Sequence, residues 1–149
     1  MEEIYRLVTR DRPGLLFAMM HALAAEDSRI SFEGRLTKTD LAKMECAVFM
    51  EIGVLKRATL QPQLDFIVLP LTQQNVSPIE KAVNSKIAFG EGGIIHVQIE
   101  KNEKMAFAAY DNFHREYVVA YPPVNPALLD KLVEARVLRN YERALQPCS

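Results

Sequence analysis

The stretch TRDRPGLLFAMMHAL, residues 9–23, predicts the end of a strand, a tight connection and the start of a helix. Pro13 suits the first turn of that helix, because its φ is already near the helical value and it has no N–H to lose. Arg12 stands at the N-cap position by count, but Asp11 is the residue type that best faces the free N–H groups there. The helix is amphipathic, with one apolar face built from Leu16, Met19, Met20 and Leu23.

The rest of the chain predicts short strands and two further helices. Alternating or apolar runs predict strands over 3–9, 30–37, 46–55, 64–72, 94–101, 104–110 and 117–121. The capping box Ser77-Pro78-Ile79-Glu80 predicts a helix over 78–85, and Asn125-Pro126 predicts the start of the last helix. Residues 138–144, LRNYERA, fit either a ragged end of that helix or a final strand.

The predicted element order indicates the fold class. It reads β-α-β-β-β-α, then a hinge at the three glycines of residues 90–93, then β-β-β-α. Strands and helices interleave without the regular alternation of a parallel sheet, which favours an α+β fold with a mostly antiparallel sheet.

Composition narrows the class of protein. The 149 residues carry 18 Lys and Arg against 19 Asp and Glu, so the basic excess of a nucleic-acid-binding module is missing. No apolar run approaches the roughly 20 residues that cross a bilayer. The two cysteines, Cys46 and Cys148, form no disulfide framework, which favours a reducing cytoplasm. We therefore expect a cytoplasmic protein with neither nucleic acid nor membrane as a partner.

No cofactor or metal site is expected. The sequence GEGG at 90–93 lacks the Lys-Ser/Thr pair of a phosphate-binding loop. The three histidines have no metal-motif spacing. His96 alternates with Gln98 and Glu100 along one predicted strand, and this polar face is expected to be solvated.

The opening of the chain resembles an ACT domain. A strand, DRPGLL at 11–16, a helix running into ALAAED and a strand beginning near Ile30 match that family over residues 3–37, and more loosely through residue 55. The resemblance implies a ferredoxin-like β-α-β-β-α-β sandwich over residues 1–88, with residues 89–149 as a C-terminal α+β extension. It also implies a regulatory small-molecule sensor, commonly for amino acids, that works as a homodimer.

The resemblance places the ligand at the loop after the first strand, next to a neighbouring subunit. The residues of this loop could bind an amino acid. Gly14 allows a ligand to approach the backbone closely, Arg12 can hold a carboxylate and Asp11 can accept from an ammonium group. The expected ligand-binding residues are Asp11, Arg12, Pro13, Gly14, Leu15 and Ile30. The favoured function is therefore sensing or regulation, without catalysis.

Two other function classes stay open. One is a small enzyme in which His114 acts with Asp111 or Glu116, since a carboxylate can orient an imidazole for acid–base chemistry. The other is a protein-interaction module whose sheet dimerises or docks a partner without a ligand. Side chains that meet in a concave pocket would favour the enzyme, whereas a loop packed without a cavity would favour the interaction module.

Overall fold

A computed structural model describes residues 3–83, residue 89 and residues 93–144. Three short 3-10 turns span Leu36–Lys38, Leu41–Lys43 and Gln73–Asn75. The regular elements, in chain order, are β1 (Ile4–Thr9), α1 (Arg12–Leu23), β2 (Ser28–Gly34), β3 (Asp65–Pro70), α2 (Val76–Val83), β4 (Ile94–Lys101), β5 (Lys104–Ala109), β6 (Val118–Ala120), α3 (Pro126–Glu134) and β7 (Leu138–Ala144).

The seven strands form one sheet in the order β3-β2-β4-β5-β6-β1-β7. Every neighbouring pair is antiparallel, which confirms the predicted α+β class with an antiparallel sheet. Residues 138–144, whose state the sequence leaves open, form the edge strand β7. Strands from both sides of residue 88 share this sheet, and the division into 1–88 and 89–149 stays a prediction. Only Gly93 of the predicted hinge at 90–93 lies within the described residues, and Cys148 lies outside them.

Two split β-α-β units account for most of the strand order. The elements β3, α2 and β4 place their two strands on either side of β2, and β6, α3 and β7 do the same around β1. Helix α1 connects the two units, since β1 and β2 are separated by three strands. At the usual spacing of neighbouring strands, β1 and β2 lie about 19 Å apart.

The main hydrophobic core lies between one face of the sheet and the helices. The predicted apolar stripe of α1 is confirmed, since its four residues are at most 1% exposed. They pack in one cluster with Phe32 of β2 and Phe107 of β5. Burial of large apolar side chains on one face of each element is the main favourable contribution to folding. In the described ranges, no helix is both long and apolar enough to span a bilayer.

Residues 45–64 cover part of the opposite face of the sheet. The prediction of a strand over 46–55 is wrong, because this segment forms only isolated bridges, Val48 to Val68 and Ile52 to Leu55. Its apolar character serves packing instead, since Leu55 is buried in a second cluster with Phe66 and Val68. Helix α2 also begins earlier than predicted, at Val76, so the Ser-Pro pair lies inside its first turn.

Candidate ligand-binding site

The Asp11–Leu15 loop is capped by the chain itself. The Asp11 carboxylate accepts a hydrogen bond from the Gly14 N–H at 3.0 Å, and the Asp11 backbone carbonyl accepts from the Leu15 N–H at 2.9 Å. The N–H groups of Arg10 and Asp11 both donate to the carbonyl of Val137, just before β7. Because Pro13 has no N–H, only the Arg12 N–H remains for an anion at this helix end.

The structure brings five of the six predicted site residues together. Arg12, Pro13 and Gly14 are partly exposed, whereas Leu15 is fully buried beneath them. Ile30 is also fully buried, on β2, which is separated from β1 by three strands within the same chain. A Cβ on Gly14 would lie 2.5 Å from an Asp11 carboxylate oxygen, so the cap alone explains the glycine. The role of these residues in ligand binding stays a prediction.

A cleft lies at the start of the edge strand β3. It has a volume of about 570 Å³, within the range of about 300–1,000 Å³ typical of small-molecule sites. Three parts of the chain line it: the two 3-10 turns before residue 44, residues 45–64, here called the covering segment, and the beginning of β3. Its lining includes Leu36, Lys43, Phe49, Arg57, Leu64, Asp65, Phe66 and Ile67.

Arg57 gives the cleft a positive group, and the Glu51 carboxylate accepts from its backbone N–H at 2.9 Å without pairing with the guanidinium. The guanidinium lies 5.2 Å from the ring centroid of Phe66 and donates to the Leu64 carbonyl at 2.5 Å. The side chain is half-buried, and it forms no ion pair with any residue in the described part of the chain. Lys43, by contrast, pairs with Asp40 at 3.2 Å. A half-buried guanidinium of this kind favours an anion, since charge-assisted bonds to a carboxylate are strong.

A buried polar layer holds the covering segment against the sheet. The side chains of Glu33, Gln98 and Glu100 accept hydrogen bonds from N–H groups of that segment. The Val54 N–H donates to Glu100 at 3.2 Å, the Lys56 N–H donates to Gln98 at 3.1 Å, and the N–H groups of Ala58 and Thr59 donate to Glu33 at 2.7 and 3.2 Å. These side chains therefore replace the neighbouring strand that the segment lacks.

His96 belongs to this layer, and the prediction that His96, Gln98 and Glu100 face solvent is wrong. They are 9%, 5% and 0% exposed, because residues 45–64 cover them. The His96 Nδ1 accepts from the Asp111 N–H at 3.1 Å, so Nε2 carries the proton and donates to the Thr59 hydroxyl at 2.7 Å. Burial lowers the pKa of His96 below its usual value, against the opposing charges of Glu33 and Asp111.

The side chains of the predicted acid–base group do not meet. Asp111, His114 and Glu116 are all exposed on the loop between β5 and β6. The His114 Nδ1 accepts from the backbone N–H of Glu116 at 3.2 Å, and neither carboxylate bonds to the ring among the described residues. Within the same ranges, no cluster of three His, Cys, Asp or Glu side chains is arranged to hold a metal ion.

The cleft residues Arg57 and Asp65 were not predicted as a site. Residues 54–63 carry no local motif, and the cleft forms only when β3, the two turns and the covering segment come together. Comparison with known proteins adds no further assignment, since no family model, curated protein or solved structure matches this chain.

Proposed function

We propose that this chain is a regulatory protein that binds a small molecule carrying a carboxylate, with amino acids as the first candidates. One observation carries the proposal: a cleft of about 570 Å³ contains a half-buried guanidinium, Arg57, that has no ion-pair partner in the described part of the chain. Apolar surroundings with a few oriented polar groups are typical of small-molecule sites.

The finer fold assignment is part of the proposal. An ACT-type, ferredoxin-like relationship is supported by the DRPGLL loop between β1 and α1 and by two split β-α-β units, a feature of ferredoxin-like folds. With this relationship we propose a cytoplasmic homodimer. Light scattering should then give a mass twice the 16.9 kDa of one chain, and a mass of one chain at all concentrations would contradict it.

The Asp11–Leu15 loop is the second location for the ligand. The partly exposed Arg12 and its N–H support this location, whereas the hydrogen bond that Asp11 makes to Gly14 weakens it, because a bound carboxylate would compete with that cap. The two locations are separable by substitution, since each relies on a different arginine.

Thermal unfolding tests the proposed function. The protein is heated with each of the amino acids and common 2-oxo acids, and a ligand at 100 times its Kd should add about 2.7 kcal/mol to the unfolding free energy. We expect a selective rise in Tm that Arg57→Gln abolishes and Arg12→Gln preserves. Arg115→Gln, at an exposed residue of the loop between β5 and β6, controls for the change in charge.

The outcomes distinguish the two ligand locations from each other, and both of them from a protein that binds no such ligand. A rise that Arg12→Gln abolishes and Arg57→Gln preserves would place the ligand at the Asp11–Leu15 loop. No rise with any compound would contradict small-molecule binding of this class.

A protein-interaction module is the second candidate function. The covering segment exposes three large apolar side chains, Phe49, Met50 and Leu60, which are 58%, 64% and 75% exposed. Contiguous exposed apolar surface is typical of sites that bind other proteins, and three such side chains on one segment favour this candidate. If none of the compounds raises the Tm, the protein-interaction module becomes the favoured function.

A further inference from the structure

The lining of the cleft at the start of β3 carries two positive groups, Lys43 and Arg57, and one negative group, Asp65. Lys43 is paired with Asp40, which lies outside the lining. Arg57 uses one terminal nitrogen for the Leu64 carbonyl, which leaves the rest of its planar guanidinium for an anion. Asp65 lies on the same lining and uses one carboxylate oxygen to accept from the Leu36 N–H at 3.0 Å. Its other oxygen has no hydrogen-bond partner among the described residues and can accept from a cation.

The lining between these groups is mostly apolar. Phe66 is only 2% exposed and supports the Arg57 guanidinium, so the positive group is held in place by stacking as well as by its hydrogen bond. Phe49 also lines the cleft but leaves more than half of its surface exposed, which is unusual for a large aromatic side chain. An apolar group bound in the cleft would cover part of this surface.

We propose that the cleft binds a free α-amino acid with a branched or aromatic apolar side chain. The ligand carboxylate bonds to Arg57, its ammonium group bonds to the free oxygen of Asp65, and its side chain contacts Phe49 and the partly exposed Leu64. This assignment rests on the proposed function and narrows it, because a carboxylate without an ammonium group would leave Asp65 unpaired. Desolvating a carboxylate without a partner lowers affinity.

Calorimetric titration with three related compounds tests this assignment. The compounds are L-leucine, α-ketoisocaproate, which lacks the ammonium group, and isopentylamine, which lacks the carboxylate. We expect leucine to bind at least about tenfold more tightly than either analogue, the ratio that one charged hydrogen bond provides. Phenylalanine should bind, whereas glycine should bind much more weakly, because glycine has no side chain for the apolar lining.

Asp65→Asn is the decisive variant. Asparagine keeps an oxygen that can accept from the Leu36 N–H, so the fold should be retained, but it loses the negative charge. We expect the preference for leucine over α-ketoisocaproate to disappear in this variant. Arg57→Lys keeps the charge but loses the planar fork, and should weaken both carboxylates about tenfold. Glu116→Gln, at an exposed residue of the loop between β5 and β6 and outside the cleft lining, is the control for the lost negative charge and should leave all affinities unchanged.

The possible failures are distinguishable. If α-ketoisocaproate binds as tightly as leucine, and Asp65→Asn leaves the ratio unchanged, the amino-acid assignment is overturned while carboxylate binding stands. If Asp65→Asn unfolds the protein, the three-compound ratio and the Arg57→Lys titration still decide the assignment. If no carboxylate binds, both this assignment and the proposed function are overturned.

Discussion

The sequence predicts that Asp11 caps a helix, but it does not decide whether Asp11 also takes part in ligand binding. A carboxylate two residues before Pro13 predicts a capped helix, and the Asp11 carboxylate does accept from the Gly14 N–H. The same pattern also predicts an anion site, because a cap and a ligand use the same N–H groups. Sequence therefore predicts the position of Asp11 well, but it does not separate these two uses.

Asp11→Ala should destabilise the protein by about 1 kcal/mol, the usual cost of losing an N-cap side chain. Urea unfolding without any ligand measures this loss. The control is Asp40→Ala, since the exposed Asp40 side chain makes only a surface ion pair with Lys43 among the described residues. Equal stability of the two variants would contradict the capping role.

His96 predicts a pH dependence of stability. Its pKa is lowered by burial in the folded protein, so the native state binds fewer protons than the unfolded chain below the usual pKa of about 6.5. The stability that His96 provides is therefore complete above that pH and is lost as the pH falls through the lowered pKa. Because only one proton is involved, the unfolding free energy changes by at most about 1.4 kcal/mol per pH unit.

Unfolding free energies between pH 5 and pH 7.5 check this expectation, with the acidic limit set about 1.5 units below the usual histidine pKa. His96→Gln should be less stable near neutrality and should lose part of the slope seen in the wild type. His114→Gln, at an exposed histidine, should keep that slope. A wild-type slope that His96→Gln does not change would contradict the assignment.

At the scale of elements, the covering segment shows where local patterns fail. Residues 46–55 are rich in apolar residues and predict a strand, yet they make only two isolated bridges. Their neighbours Ala58 and Thr59 bond to Glu33, which lies more than 20 residues away in sequence. Such partners are set by the tertiary fold, so periodicity cannot reveal them. The same cover buries His96, whose strand pattern alone predicts a solvated face.

Glu33→Gln should loosen the covering segment. The amide keeps one accepting oxygen but turns a donor toward an N–H group, which leaves a buried group unsatisfied at a cost of about 1–3 kcal/mol. Hydrogen exchange should accelerate at Ala58 and Thr59 more than at β4 and β5 amides. Glu116→Gln, at an exposed position, serves as the control. Uniform acceleration throughout the sheet would indicate global destabilisation and contradict a local role.

At the scale of the whole molecule, the sequence predicts the class of fold but not the strand order. Most elements and the antiparallel α+β class follow from periodicity and helix caps. The placement of β1 between β6 and β7 depends on pairing across more than 100 residues, which no local pattern specifies. The cleft has the same origin, since its lining comes from three separate stretches of chain.

The central claim is that a carboxylate ligand occupies the cleft beside Arg57. A titration of ¹⁵N-labelled protein with L-leucine, followed through the backbone amide resonances, tests it most directly. We predict shifts confined to the cleft lining, at Leu36, Lys43, Phe49, Arg57 and residues 64–67, with the amides of Asp11, Arg12, Gly14 and Leu15 unchanged. Shifts at residues 11–15 with the cleft unaffected, or no shifts at all, would contradict the claim.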